Sequence, residues 1–120
     1  MIDSCRSGAD FAALRRGRRF ESELLWLRFA ADHSLATPRV AFALSRRVRT
    51  AVLRNRVRRR LRAILREMGL DLVPGRYLIG ARQAVSALTY RGLRADLVQL
   101  LVAAEALNAA SVTPDTSVDA

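Results

Sequence analysis

Apolar and polar positions alternate with period two over residues 22–30 (SELLWLRFA), which predicts a strand with Leu25, Leu27 and Phe29 on one face and Leu24, Trp26 and Arg28 on the other. Pro38 opens a second run of this kind, RVAFALS, with Val40, Phe42 and Leu44 toward a core and Arg39, Ala41, Ala43 and Ser45 away from it. If these strands pair, the face away from the core is a shallow groove with a tryptophan and two arginines around it. From about Thr50 to Met68 the period lengthens to that of a helix, and Gly69 follows in the position glycine favours after a helix. Residues 70–75 read as a turn closing on Pro74-Gly75, Tyr77 to Ala81 (YLIGA) as a strand, and Thr89 as the cap of a last helix. That helix lines up Leu93, Leu97, Leu100, Leu101, Ala104 and Leu107. Near the N-terminus, Ser7 and Asp10 have the spacing of a capping box for a short helix through Phe11 and Leu14, stopping near Gly17. Phe11 is its largest apolar residue and the expected anchor.

The order is α-β-β-(β)-α-β-α, an α+β fold expected as a small α-β sandwich with the helices on one side of a sheet. With 120 residues the chain has room for one modest core. Residues 1–107 are expected as a single domain. The polar, mildly acidic stretch 108–120 (NAASVTPDTSVDA) is expected to be a disordered tail.

Charge changes this picture of an ordinary small domain. All 21 basic residues are arginine, against 11 acidic ones, for a formal net charge of +10. They cluster: the stretch 51–67, AVLRNRVRRRLRAILRE, holds seven, and from His33 to Arg66 there are eleven arginines and no Asp or Glu. Spaced at about 100° per residue, Leu53, Val57, Leu61, Ile64, Leu65 and Met68 share one arc of the helix, with Asn55, Arg59, Arg62 and Arg66 opposite. Arg54 and Arg58 take one flank, Arg56 and Arg60 the other.

A solvated helix face normally mixes signs, because like charges three or four residues apart weaken a helix. A face of one sign calls for a polyanion, and nucleic acid is the first candidate. Helices that lie on anionic membranes or bind calmodulin-like proteins usually carry bulky aromatics on the apolar side, and this one has none. A DNA-reading helix normally has a helix-turn-helix neighbour or a zipper, where this chain shows strands.

Other chemistries find little support. Cys5 is the sole cysteine and His33 the sole histidine, too few for a zinc site. His33 falls in a polar loop. Glu21 and Glu23 open a strand without a third carboxylate, and read as solvent-facing charge. There is no Gly-rich phosphate loop. No apolar run reaches the length of a membrane span, and the N-terminal residues lack the apolar stretch of a signal peptide. A reducing, cytoplasmic setting is expected.

Arg46-Arg47-Val48 followed by AVLRNRVRRRLR (51–62) resembles the RNR signature of the bacterial ribonuclease P protein family, and Asp10-Phe11, the two strands, YLIGAR and the closing helix fall in that family's order over roughly residues 7–107. The resemblance implies a left-handed βαβ crossover, where general rules favour a right-handed one. It implies RNA contacts by Arg46, Arg47, Arg54, Asn55, Arg56, Arg58, Arg59 and Arg62, the partner being the RNA subunit of ribonuclease P. It further implies a cleft for the single-stranded 5′ leader of precursor tRNA, with Phe11, Trp26 and Arg28 as its residues. Hydrolysis, with Mg²⁺ held mainly by the RNA, would belong to the RNA subunit, and the protein would be a non-catalytic subunit. Three positions depart from the pattern: the first helix, DFAALRRG, has one aromatic, Arg49 stands where a glycine is usual, and Cys5 stands where an apolar residue is expected. Another RNA-binding protein of the translation machinery, or a DNA-binding regulator, is the alternative reading of the charge.

Overall fold

The arginine helix forms where its periodicity places it. In the computed structural model, which describes residues 2–44, 48, 50–82 and 89–106, helix α2 spans Ala51–Met68, and the Thr50 side chain accepts from the Leu53 N–H at 3.2 Å. Val57, Leu61, Ile64, Leu65 and Met68 are buried along one stripe, and Leu53 packs at its edge. A 3₁₀ turn, Gly69–Asp71, follows. The last helix, α3 (Tyr90–Ala103), is capped by Thr89 and buries Leu93, Leu97, Leu100 and Leu101. Ala104 sits at its half-buried end, and Leu107 lies outside the described residues. So do the expected tail, Ser45, Arg46, Arg47 and Arg49.

The described residues form a five-stranded sheet: β1 (Asp3–Ser4), β2 (Arg18–Glu21), β3 (Leu25–Ala31), β4 (Arg39–Ala43) and β5 (Gly75–Ala81), in the order β1-β4-β5-β3-β2. The two strands that follow each other in sequence, β3 and β4, are therefore not partners. β5 enters between them, antiparallel to β3 and parallel to β4, so β4-α2-β5 is a βαβ crossover.

Two strands escape the alternation test. β1 is two residues long, and β2 (RRFE) offers a single apolar side chain, Phe20, on a sheet edge. The expected strand 22–30 begins later, at Leu25, because Ser22 to Leu25 closes a turn through the Ser22 N–H and the Leu25 carbonyl at 3.0 Å. Asp96, nearly buried on α3, fastens that turn by accepting from the Ser22 hydroxyl and from the Leu25 N–H at 2.9 Å.

The core lies on one face of the sheet, where Leu25, Leu27, Val40, Tyr77, Ile79 and Ala81 meet α2 and α3. The Phe29 and Tyr77 rings lie 4.8 Å apart there. The Tyr77 hydroxyl donates to the Val73 carbonyl, and burial pushes its pKa up. Helix α1 (Gly8–Arg15) does not join α2 and α3 on this face, contrary to the one-sided arrangement expected from the sequence. Its Asp10 contacts Arg39 and Arg76, which alternate with the core-facing Val40 and Tyr77 and so project from the opposite face. Leu14, 1% exposed, is its buried anchor, while Phe11 is 37% exposed. The expectation that Phe11 anchors this helix is thereby corrected: Asp10 and Leu14, four residues apart, form the inward face.

Candidate nucleic-acid interface

On α2, Asn55, Arg56, Arg59, Arg62 and Arg66 are exposed, and Arg54, Arg58 and Arg60 half-buried. Among the described residues, Arg56, Arg58, Arg59, Arg62 and Arg66 form no ion pair; the pairs present involve Arg19, Arg39, Arg76, Arg82 and Arg94. Arg54 donates to the Val48 carbonyl at 3.1 Å, tying the helix start to the segment before it. Arg58 reaches the Asn55 side-chain oxygen at 3.5 Å, a long contact. Val52, Asn55, Arg58, Arg59 and Arg62 line a shallow depression along the helix. The six expected contacts on α2, Arg54 to Arg62, thus occupy one continuous outward surface, and Arg66 extends it by a turn although the signature did not include it.

The other face of the sheet is built differently. Both oxygens of the Asp10 carboxylate are used. Oδ2 accepts from the Arg6 and Ser7 N–H groups at 3.0 and 3.3 Å, completing the capping box, while Oδ1 accepts from Arg39 Nη1 at 3.0 Å and Arg76 Nε at 2.7 Å. Arg76 extends the chain of contacts to Asp32 at 2.9 Å. The Arg76 guanidinium holds the Asp10 carboxyl well below the usual carboxylate range, against the opposing effect of burial. Capping-box spacing revealed half of this role. The partners, 29 and 66 residues away, carried no local signal.

Strand parity places Trp26 and Arg28 on this face, as expected. Trp26 covers Gly80 on β5: a Cβ at residue 80 would lie 2.2 Å from the indole, so only glycine fits under the ring. The Arg19 guanidinium stacks on Trp26 at 4.4 Å. Arg28 donates through Nη1 to the carbonyls of Arg15 and Gly17 at 3.3 and 3.4 Å, closing the C-terminal end of α1. Leu78 and Ala41 share the face with them, half-buried, and Ala43 is exposed. Phe11 stands on α1, the helix that crosses this face. Two arrangements result: an arginine-rich surface on α2, and across the sheet a shallow face carrying Trp26, bordered by a helix tied down through Asp10.

Among the described residues no three His, Cys, Asp or Glu side chains could hold a metal ion, and no helix is long and apolar enough to cross a membrane. Glu21 is exposed and pairs with Arg82 at 3.3 Å, and His33 is exposed in a turn. Cys5 is buried, which raises its thiol pKa and favours the unreactive thiol form.

These features define a small α+β domain with an arginine-rich helix in a βαβ crossover. Comparison with known proteins gives the family. The model of the Ribonuclease P family matches residues 4–105. The chain is 37% identical over 112 residues to the ribonuclease P protein component of Xylella fastidiosa, covering 90% of this chain and 79% of that one. It is 39% identical over 108 residues to the ribonuclease P protein component of Beutenbergia cavernae, covering 78% and 91%. Its fold superimposes on the Staphylococcus aureus RNase P protein with a TM-score of 0.77 at 20% identity, over 88% of this chain and 97% of that one. The chain belongs to the ribonuclease P protein family, whose members are protein components of a tRNA-processing ribonucleoprotein.

Proposed function

We infer that the α2 arginine surface binds the RNA subunit of ribonuclease P, and that the face carrying Trp26 takes the single-stranded 5′ leader of precursor tRNA. The observation that carries the first half is that, among the described residues, Arg56, Arg58, Arg59, Arg62 and Arg66 have no acidic partner, in a fold that pairs Arg39 and Arg76 on its other face. RNA phosphates supply the missing counter-charge. Support for the second half is chemical. Trp26, the Arg19 stacked on it and the half-exposed Phe11 are the side chains that hold unpaired bases by stacking, without reading sequence. Arg28, engaged with the end of α1, holds the border of this cleft in place. The protein positions substrate, and hydrolysis belongs to the RNA, with which the Mg²⁺ also resides.

The test is a pair of titrations. Wild-type protein should lose roughly a thousandfold in RNA-subunit affinity between about 50 and 200 mM salt if about six phosphates are neutralised. Replacing Trp26 with alanine should spare RNA-subunit assembly and weaken holoenzyme binding of precursor tRNA but not of mature tRNA. A flat salt dependence would refute the first half, and equal loss for both tRNA forms the second. Site-specific cleavage by rigorously RNA-free protein would refute the division of labour.

A further inference from the structure

Beside the arginine surface, between α2 and the outer strands β1 and β4, lies a cavity of ≈ 480 Å³ that neither half of that reading uses. Its floor is apolar, made by Val40 and Phe42 of β4, Leu65 of α2 and Ile2. Arg62 and Arg66, one helical turn apart and both exposed, stand over it, and the Arg62 guanidinium lies 5.5 Å from the Phe42 ring centre. Asp3 and Ser4 of β1 form the remaining wall, with the Asp3 carboxylate accepting from the Thr37 hydroxyl at 3.0 Å.

We propose that this cavity is a nucleotide pocket that receives one unpaired base extruded from the RNA subunit. Three features select this occupant. The volume falls in the range of small-molecule sites, and the apolar floor with an aromatic edge suits a planar base better than a bare phosphate. Two arginines above an apolar floor suit a group that is flat and uncharged at one end and anionic at the other, which describes a nucleotide. The pocket opens on the α2 side of the sheet, since Val40 and Phe42 alternate with Arg39, Ala41 and Ala43 of the opposite face. A leader lying across Trp26 therefore cannot reach it, while RNA held on α2 passes its mouth.

The proposal rests on RNA-subunit binding by α2, and its test separates the two. Ser4, paired with Val40, faces the cavity, so Ser4→Phe obstructs it while leaving every arginine of the sequence in place. In the full-length chain it should lower RNA-subunit affinity about tenfold, one stacked base's worth, with an unchanged slope of log affinity against log salt. Its affinity for precursor tRNA in assembled holoenzyme should stay unchanged. A second measurement avoids any folding defect in the variant: wild-type protein titrated with AMP should show NMR shifts at Ile2, Val40, Phe42 and Leu65. Wild-type RNA affinity in a folded Ser4→Phe protein would overturn the pocket while leaving the arginine surface intact. So would loss confined to precursor tRNA, or AMP shifts spread along α2 that bypass Val40 and Phe42.

Discussion

Arg76 and Arg59 carry the same guanidinium into opposite circumstances. Arg76 lies under α1 with its side chain 13% exposed, bonded to Asp10 and Asp32. Arg59 stands exposed on α2 among arginines and has no acidic partner among the described residues. On the α1 face Arg39 and Arg76 are answered by Asp10 and Asp32 within the fold, so they hold an element in place. On the α2 face Arg56, Arg58, Arg59, Arg62 and Arg66 have no acidic partner among the described residues, and the mutual repulsion there is one that a bound polyanion would relieve. Within one small domain, compensation separates arginines that build the structure from those assigned to the proposed RNA surface.

The largest effect should come from removing the compensation. Asp10→Asn takes the counter-charge from Arg76 and weakens a cap, and should cost about 3 kcal/mol of unfolding free energy in urea titrations. It should also change the response to acid. The Asp10 carboxyl is held below its ordinary range when folded, so its contribution is present above about pH 4 and drains away as pH falls below that. Wild-type protein should lose stability between about pH 5 and 2 more steeply than Asp10→Asn, which keeps only the Asp32 share of the effect. Parallel curves would break the claim that this network is what holds α1.

Gly80→Ala tests the same face through packing. The new methyl meets the Trp26 indole, and roughly 2 kcal/mol should be lost unless the ring swings away. Trp26 emission would report that swing, because it is the only tryptophan of the chain.

The α2 face should behave in the opposite manner. Arg59→Ala should move stability by no more than about 0.5 kcal/mol, in either direction, and lower RNA-subunit affinity about tenfold. A large loss of stability there would erase the distinction between the two kinds of arginine. Phe11→Ala should likewise change the melting temperature little, since Leu14 carries the burial of α1; less than about 0.5 kcal/mol is expected.

Periodicity made α2, α3, β3, β4 and β5 legible, because each buries a stripe or face against one core. It said little about α1, whose inward face is one leucine and a carboxylate that local spacing explains only as a cap. β2 was hidden for the same reason, being a charged edge with one Phe. Of the candidate site, the α2 surface could be read because helix geometry alone arranges it. Trp26 and Arg28 could be assigned a face by parity, but not their neighbours: Gly80 and Arg19 become partners only when β5 and β2 flank β3. Long-range register decides those contacts, and no local pattern encodes it.

The position of β5 has a consequence for synthesis. β3 and β4 leave the ribosome early, yet each must wait for the strand that lies between them, and that strand ends at Ala81. At synthesis rates of about 5–20 residues per second, the interval from Ala43 to Ala81 leaves β3, paired only with β2, and β4, paired only with β1, each with one open edge for a few seconds, followed by a nascent helix dense in positive charge. A polyanion that engages α2 during that interval would gather the charge before the sheet has closed, so assembly with RNA and completion of the fold can overlap in time.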